Sequence, residues 1–209
     1  MASTIRVKTF LSPQYEEMYN QFFLPSLLRV EPDVKLEKYE FNIGGDGEFG
    51  SSDFKMAACI KWKKILEWLN DDDIPFVFCD ADILFIKPFL AQIEADSDGV
   101  DISLQEGYTA TWGNVGVMYI RSTAATRQFA ADVLEQSIIT KKWDERIANR
   151  LLLENRFPFK ILSRRYCTNY YSHDDPLLFH AVPTFATNPT PCIQQKIKLM
   201  STLKQKLGF

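Results

Sequence analysis

Apolar and polar positions change rhythm several times along the chain, and each change marks an element. Residues 5–11 set Arg6, Lys8 and Thr9 among apolar neighbours, a near-alternation that predicts a strand. Ser12-Pro13 then reads as a helix start, and Tyr15, Met18, Tyr19, Phe22, Phe23 and Leu27 recur at three- and four-residue spacing, predicting a helix over residues 13–29. Alternation returns over 34–41 as a second strand, followed by a glycine-rich loop over 42–50 that is flexible enough to close over a ligand. That loop lacks the Gly-Lys-Ser/Thr ending of a phosphate-binding P-loop and the full dinucleotide fingerprint. Ser52 or Asp53 is expected to cap a helix reaching about residue 70, with Phe54, Ala58, Trp62, Ile65 and Leu69 on its buried arc. Lys61 falls on the flank of that arc, and Lys63 and Lys64 face away from it.

Phe76–Cys79 is wholly apolar with no alternation, which predicts a central parallel strand covered on both faces. Beyond it the pattern predicts a short helix over 88–95, strands over 101–105 and 115–121, and helices over 123–137 and 144–154. Trp112 and Asn114 sit in the loop 106–114, where they could line a pocket. A strand over 160–162, a polar and aromatic surface loop over 166–175, a last strand over 178–182 and a terminal helix over 191–207 complete the chain. Strands alternating with helices predict an α/β fold with a mostly parallel central sheet flanked by helices.

Composition narrows this. The 209 residues are 46% hydrophobic and 13% aromatic, enough for one domain with a full core over 1–209, which is also compatible with the first domain of a longer chain. A net charge of -3 offers no broad basic face, which argues against nucleic acid or an anionic membrane as partner. Cys59, Cys79, Cys167 and Cys192 are too scattered for a zinc or redox motif and are expected to be reduced, buried thiols. The first residues have no signal-peptide core, and no run reaches the roughly 18 apolar residues of a membrane span. The expectation is a soluble, cytoplasmic protein.

Candidate chemistry concentrates at Asp80 and Asp82, just after the apolar strand. Ligands collect at the carboxyl ends of such strands. If the backbone stays extended, a period of two puts both carboxylates on one face, where they repel unless a cation such as Mg²⁺ or Mn²⁺ sits between them. The same pair could instead form a solvated turn bonded to its own backbone, although the apolar return over Ile83–Ile86 leaves little water for it. Lys61 either snorkels along its helix or carries a cation toward a phosphate.

The words Phe78-Cys-Asp80-Ala-Asp82-Ile-Leu-Phe-Ile-Lys-Pro88, Asn114-Val-Gly116-Val-Met-Tyr-Ile-Arg121 and Trp143-Asp144-Glu145 with Asn149 resemble the GT-A-fold nucleotide-sugar glycosyltransferases. Within that fold they are most similar to the families that include glycogenin, bacterial galactosyltransferases, plant cell-wall glycosyltransferases and viral capsid-glycan enzymes. The resemblance implies a metal bound by Asp80, Asp82 and His180, with Mn²⁺ or Mg²⁺ as cofactor. It places Asp80 and Ala81 on the nucleotide, Thr9, Phe10 and Leu11 beside the uracil, Lys61 and Lys196 near the diphosphate, and Asn114 and Gly116 by the transferred sugar. Asp144 and Glu145 fall at the reacting carbon. Glu145 stands where many relatives carry Gln, and the glycine expected after the histidine is absent, which loosens the case for Lys196. Read from the residues alone, His180 inside an apolar run is a core histidine.

The implied activity is metal-dependent transfer of a hexose or deoxyhexose from a UDP-sugar to a glycan or glycoprotein acceptor, with retention of configuration. Two other readings stay open: a Mg²⁺-dependent phosphatase of the Asp-x-Asp type, against which Leu84 stands where a hydroxyl is needed, and a non-catalytic nucleotide-sugar binding module.

Overall fold

Strand β1 (Arg6–Leu11) runs parallel to β2 (Lys35–Glu40) on one side and to β3 (Phe76–Cys79) on the other, in a computed structural model that describes residues 5–42, 44, 51–154, 157–168, 173–182 and 192–208. Most of the glycine-rich loop, 43 and 45–50, lies outside the described residues. The large sheet has the order β2-β1-β3-β6-β5-β7, with β5 (Ile102–Glu106), β6 (Gly113–Ile120) and β7 (Phe159–Ile161). Three of its five pairings are parallel, so the sheet is mostly parallel as expected. The apolar run of β3 is buried throughout, but it is parallel only to β1 and pairs antiparallel with β6. Burial on both faces, not strand direction, is what its lack of alternation reported.

A second sheet has the order β4-β9-β8, built from β4 (Ile83–Phe85), β8 (Tyr166–Thr168) and β9 (Leu178–His180). The surface loop expected from residue 166 is therefore, at its start, a fully buried strand.

Between β1 and β2 the chain is helical as the spacing predicts, though not uniformly. A 3-10 turn (Pro13–Tyr15) leads into α1 (Glu16–Met18), a π turn (Tyr19–Phe23) and α2 (Leu24–Val30). Pro25 has no N–H for the carbonyl four residues back, and the wider π turn before it absorbs the mismatch. The long helix α3 (Ser52–Asp71) is capped by Ser51, whose hydroxyl accepts from Phe54 N at 3.1 Å, one residue earlier than expected because Ser51 is the last residue with extended backbone. Its inward face carries Ala58, Trp62, Ile65 and Leu69 as the wheel predicts, plus Trp68 and Lys61. The remaining helices are α4 (Leu90–Asp96), α5 (Ala124–Thr140), α6 (Asp144–Leu153) and α7 (Cys192–Leu207).

Alternation along β1 divides the core. Val7 and Leu11 face the cluster containing Tyr19, Phe23 and Leu27, whereas Phe10 packs on the cluster of Trp62, Phe78 and Phe129. Lys8, polar in the sequence pattern, is buried against the Trp68 and Phe76 rings and pairs with Glu37 at 3.1 Å. A third cluster, with Met18, Phe22, Leu84 and Met200, joins the small sheet to α7. Two of the four free thiols, Cys79 and Cys167, are buried, and Cys59 and Cys192 are half-buried. Among the described residues no helix is long and apolar enough to cross a membrane.

Candidate active site

The strand ends β3 and β6 and the first turn of α6 open onto one cleft of about 600 Å³. On its floor Asp80 and Asp82 flank Ala81 in a turn, not in an extended segment. Their convergence has a different cause from the one the strand period suggests. Asp80 N donates to Gly116 O at 2.8 Å, extending the large sheet by one rung, and Asp82 O accepts from Ala181 N at 3.0 Å beside β9. The turn is also not a solvated one: Asp82 is 3% exposed, and Asp80 Oδ1 and Asp82 Oδ1 are buried without a hydrogen-bond partner.

His180 supplies the third group. One ligand atom from each of Asp80, Asp82 and His180 lies within 4.8 Å of the others. His180 Nδ1 is 2.8 Å from Gln105 Oε1, and the Gln105 amide is oriented because its Nε2 donates to Tyr166 O at 2.9 Å and Cys167 O at 3.0 Å. Nδ1 therefore carries the proton donated to Gln105, which leaves the Nε2 lone pair aimed at Asp82 Oδ1, 3.2 Å away. Two lone pairs facing each other at that distance require a proton or a cation between them. Two orphaned carboxylate oxygens and one imidazole nitrogen suit a divalent ion of the Mg²⁺ or Mn²⁺ class. The residues fit the metal that the resemblance implies.

Gly116 makes room for this group, since a Cβ there would stand 2.2 Å from His180 Cε1 and 2.8 Å from Asp80 Oδ2. A bulge in β6 brings it there. Leu104 pairs with Met118 but Gln105 pairs with Asn114, so residues 115–117 loop away from β5 toward the acids.

Lys196 reaches Asp82 Oδ2 from α7. Burial disfavours charge on Asp82, but the Lys196 ammonium outweighs it and holds the carboxyl well below the usual carboxylate range. Burial disfavours the Lys196 ammonium too, and Asp82 outweighs it in turn. Asp80 shifts the other way, raised by burial and by the nearby Asp82 charge against the pull of Lys61.

The acidic pair at the start of α6 forms the opposite wall. Trp143 occupies the cap position, so Asp144 is not a helix cap. Its Oδ2 instead takes Lys61 Nζ at 2.7 Å and Trp62 Nε1 at 3.0 Å, both from α3. Lys61 is 6% exposed and ion-paired, which excludes a merely snorkelling lysine. Glu145 accepts from Trp112 Nε1 at 2.7 Å and from Asn114 Nδ2 at 3.0 Å, while Asn114 Oδ1 receives Gly116 N at 2.7 Å. Burial pushes the Glu145 carboxyl up to about 7, with the Trp112 hydrogen bond opposing and Asp144 reinforcing. Asn149 acts as an extra rung, exchanging hydrogen bonds of 2.7 and 2.6 Å with the Gly113 backbone and so fixing α6 to β6.

Of the residues expected at the site, Phe10, Lys61, Asp80, Ala81, Asp82, Asn114, Gly116, Asp144, Glu145, His180 and Lys196 line the cleft. Thr9 and Leu11 do not, because they share the Val7 face of β1 and point into the core beneath. Gln105, Trp62 and Tyr15 were missed. A glutamine at the end of the strand predicted over 101–105 was the available signal for Gln105. Trp62 read as plain core, and burial pushes the Tyr15 hydroxyl at the cleft edge up to about 12 against the pull of Lys196.

The sequence pattern of the nucleotide-diphospho-sugar transferase family matches residues 25–200. No curated protein is significantly similar in sequence. Among solved structures, the apo-form glycosyltransferase GlyE of Streptococcus pneumoniae superposes with a TM-score of 0.60 at 14% identity, covering 97% of this chain and 63% of that one. This chain thus spans under two thirds of that enzyme's length. A glycosyltransferase involved in glycosylation of the major capsid of PBCV-1 superposes with a TM-score of 0.60 at 10% identity, covering 94% of this chain and 99% of that one. The galactosyltransferase LgtC, solved with donor and acceptor sugar analogs, gives 0.55 at 14% identity, covering 95% and 96%. At these identities the likeness shows the fold, which is the GT-A fold expected from the sequence, viral relative included.

Proposed function

The chain belongs to the nucleotide-diphospho-sugar transferases, and on that footing we propose that it moves a hexose or deoxyhexose from a UDP-sugar to a glycan or glycoprotein acceptor, with Mn²⁺ or Mg²⁺ and with retention of configuration. The observation that carries this reading is the convergence of Asp80, Asp82 and His180 on the floor of the cleft. A divalent ion held there would stabilise the leaving diphosphate as a Lewis acid.

The chain's own residues account for the rest. Phe10, Phe41 and Tyr15 form an aromatic end of the cleft that suits a nucleobase. Lys196 and Lys61 bring positive charge toward the phosphates, each balanced by an acid when the donor is absent. As the bond between sugar and phosphate breaks, positive charge grows on the anomeric carbon, and the Asp144 carboxylate at the start of α6 supports it. Asn114 and Gly116 border the space left for the sugar ring. Retention is favoured because the Asp144 carboxylate is already engaged by Lys61 and Trp62, an arrangement suited to standing charge more than to taking a proton. Inversion would instead use Glu145, pushed up to about 7, as the base for the acceptor hydroxyl. Free thiols throughout suit the reducing cytoplasm.

Asp82→Asn should abolish Mn²⁺-dependent UDP binding in calorimetry while the protein stays folded. Undiminished UDP affinity in that variant would sink the assignment. Release of free sugar from UDP-sugars by the wild type separates an enzyme from a binding module, and the anomeric proton of a transfer product decides between retention and inversion. The phosphatase reading loses its footing with the family match and with Leu84 buried in β4, where a hydroxyl would be needed.

A further inference from the structure

A second groove, of about 420 Å³, opens off the cleft and is lined by Trp112, Lys142, Arg146, Arg150, Leu153 and Glu154. Trp112 and Arg146 line both spaces, so a chain leaving the reacting carbon has a continuous path into it. Three cations face one acid there, in a protein whose net charge is -3. Lys142 and Arg146 have no ion pair among the described residues, and Arg150 has only Gln136 at 3.3 Å and Glu154 at 3.9 Å. Arg146 and Arg150 lie one turn apart on α6, about 6 Å along its axis. The indole of Trp112 is fixed by its bond to Glu145 and offers an apolar face at the junction.

Resting on the transferase reading, we propose that the acceptor is an acidic saccharide whose rings carry carboxylates, seated in this groove. A sugar ring packs its C–H face on an indole, and a carboxylate takes a guanidinium through two parallel hydrogen bonds. A uronate meets both needs from one ring. A hexose phosphate sets its charge further from the ring than a uronate's carboxylate does, and a neutral glycan leaves the cations unused.

The test titrates the protein with an oligouronate trimer, the neutral trimer of the corresponding hexose and a hexose phosphate, following tryptophan fluorescence. The oligouronate is expected to bind about tenfold or more tightly than the neutral trimer, and less tightly as salt is raised. In Lys142→Ala/Arg150→Ala the preference should fall about tenfold with the melting temperature unchanged, since both side chains are exposed. Equal binding of the neutral trimer, tighter binding of the hexose phosphate, or a preference that survives the double substitution overturns the proposal. UDP binding with Mn²⁺ is measured on the same preparation. UDP binding without oligouronate binding overturns the groove alone, whereas oligouronate binding without UDP binding leaves a saccharide site and overturns the transferase reading.

Discussion

Asp144 and Glu145 are neighbours in the chain with opposite surroundings, one beside an ammonium and the other between two neutral N–H donors. Asp144→Asn keeps the shape but leaves the buried Lys61 unpaired and removes the charge proposed to support the sugar. We expect kcat to fall by roughly 10²-fold or more with UDP affinity little changed, because the interaction strengthens only in the transition state. Glu145→Gln offers one acceptor to two donors, so it costs one hydrogen bond, about 1 kcal/mol, and a smaller loss of turnover. Full activity in both variants would remove the pair from the chemistry. Glu145 also gives a pH signature. Its folded value of about 7 lies above the ordinary 4.5, so between those limits the folded state holds a proton that the unfolded chain has lost. This contribution to stability is fully present below about 4.5 and is lost as pH rises to about 7. Melting curves across that range should show the slope in the wild type and lack it in Glu145→Gln.

Local pattern predicted most elements of this fold, and failed where pairing is made by distant strands. The three residues Tyr166–Thr168 are too few to show a period, and their strand exists only because Cys167 pairs with Phe179. The Asp-x-Asp word was legible as a pair of acids on one site, but the turn that gathers them depends on Gly116 O and Ala181 N, which no spacing encodes. Gln105 belongs to the same class, linking β5 to both β8 and β9 through one amide. Gln105→Leu should destabilise the protein by about 1–3 kcal/mol through two unsatisfied carbonyls. Without a partner for Nδ1, His180 should also lose about tenfold in Mn²⁺ affinity. A variant that melts earlier but binds Mn²⁺ as before would confine Gln105 to a structural role.

Seen across the whole molecule, the candidate metal ligands belong to different sheets: Asp80 is tied to β6 of the large sheet, and His180 is the last residue of β9 in the small one. Asp82 lies between them, its carbonyl fastened to Ala181. An ion gripping all three would act as a rivet across a seam that the backbone crosses within three residues. Binding energy at such a rivet also opposes separation of the two halves, so Mn²⁺ with UDP should slow amide exchange in β8 and β9 while α5, none of whose residues lines the cleft, is unaffected. Uniform slowing, or slowing that persists in Asp82→Asn, would refute the link. If it holds, letting go of the spent nucleotide and loosening the small sheet are one equilibrium seen from two sides, and substitutions that weaken the Leu84–Phe179 pairing will shorten the residence time of UDP without touching it.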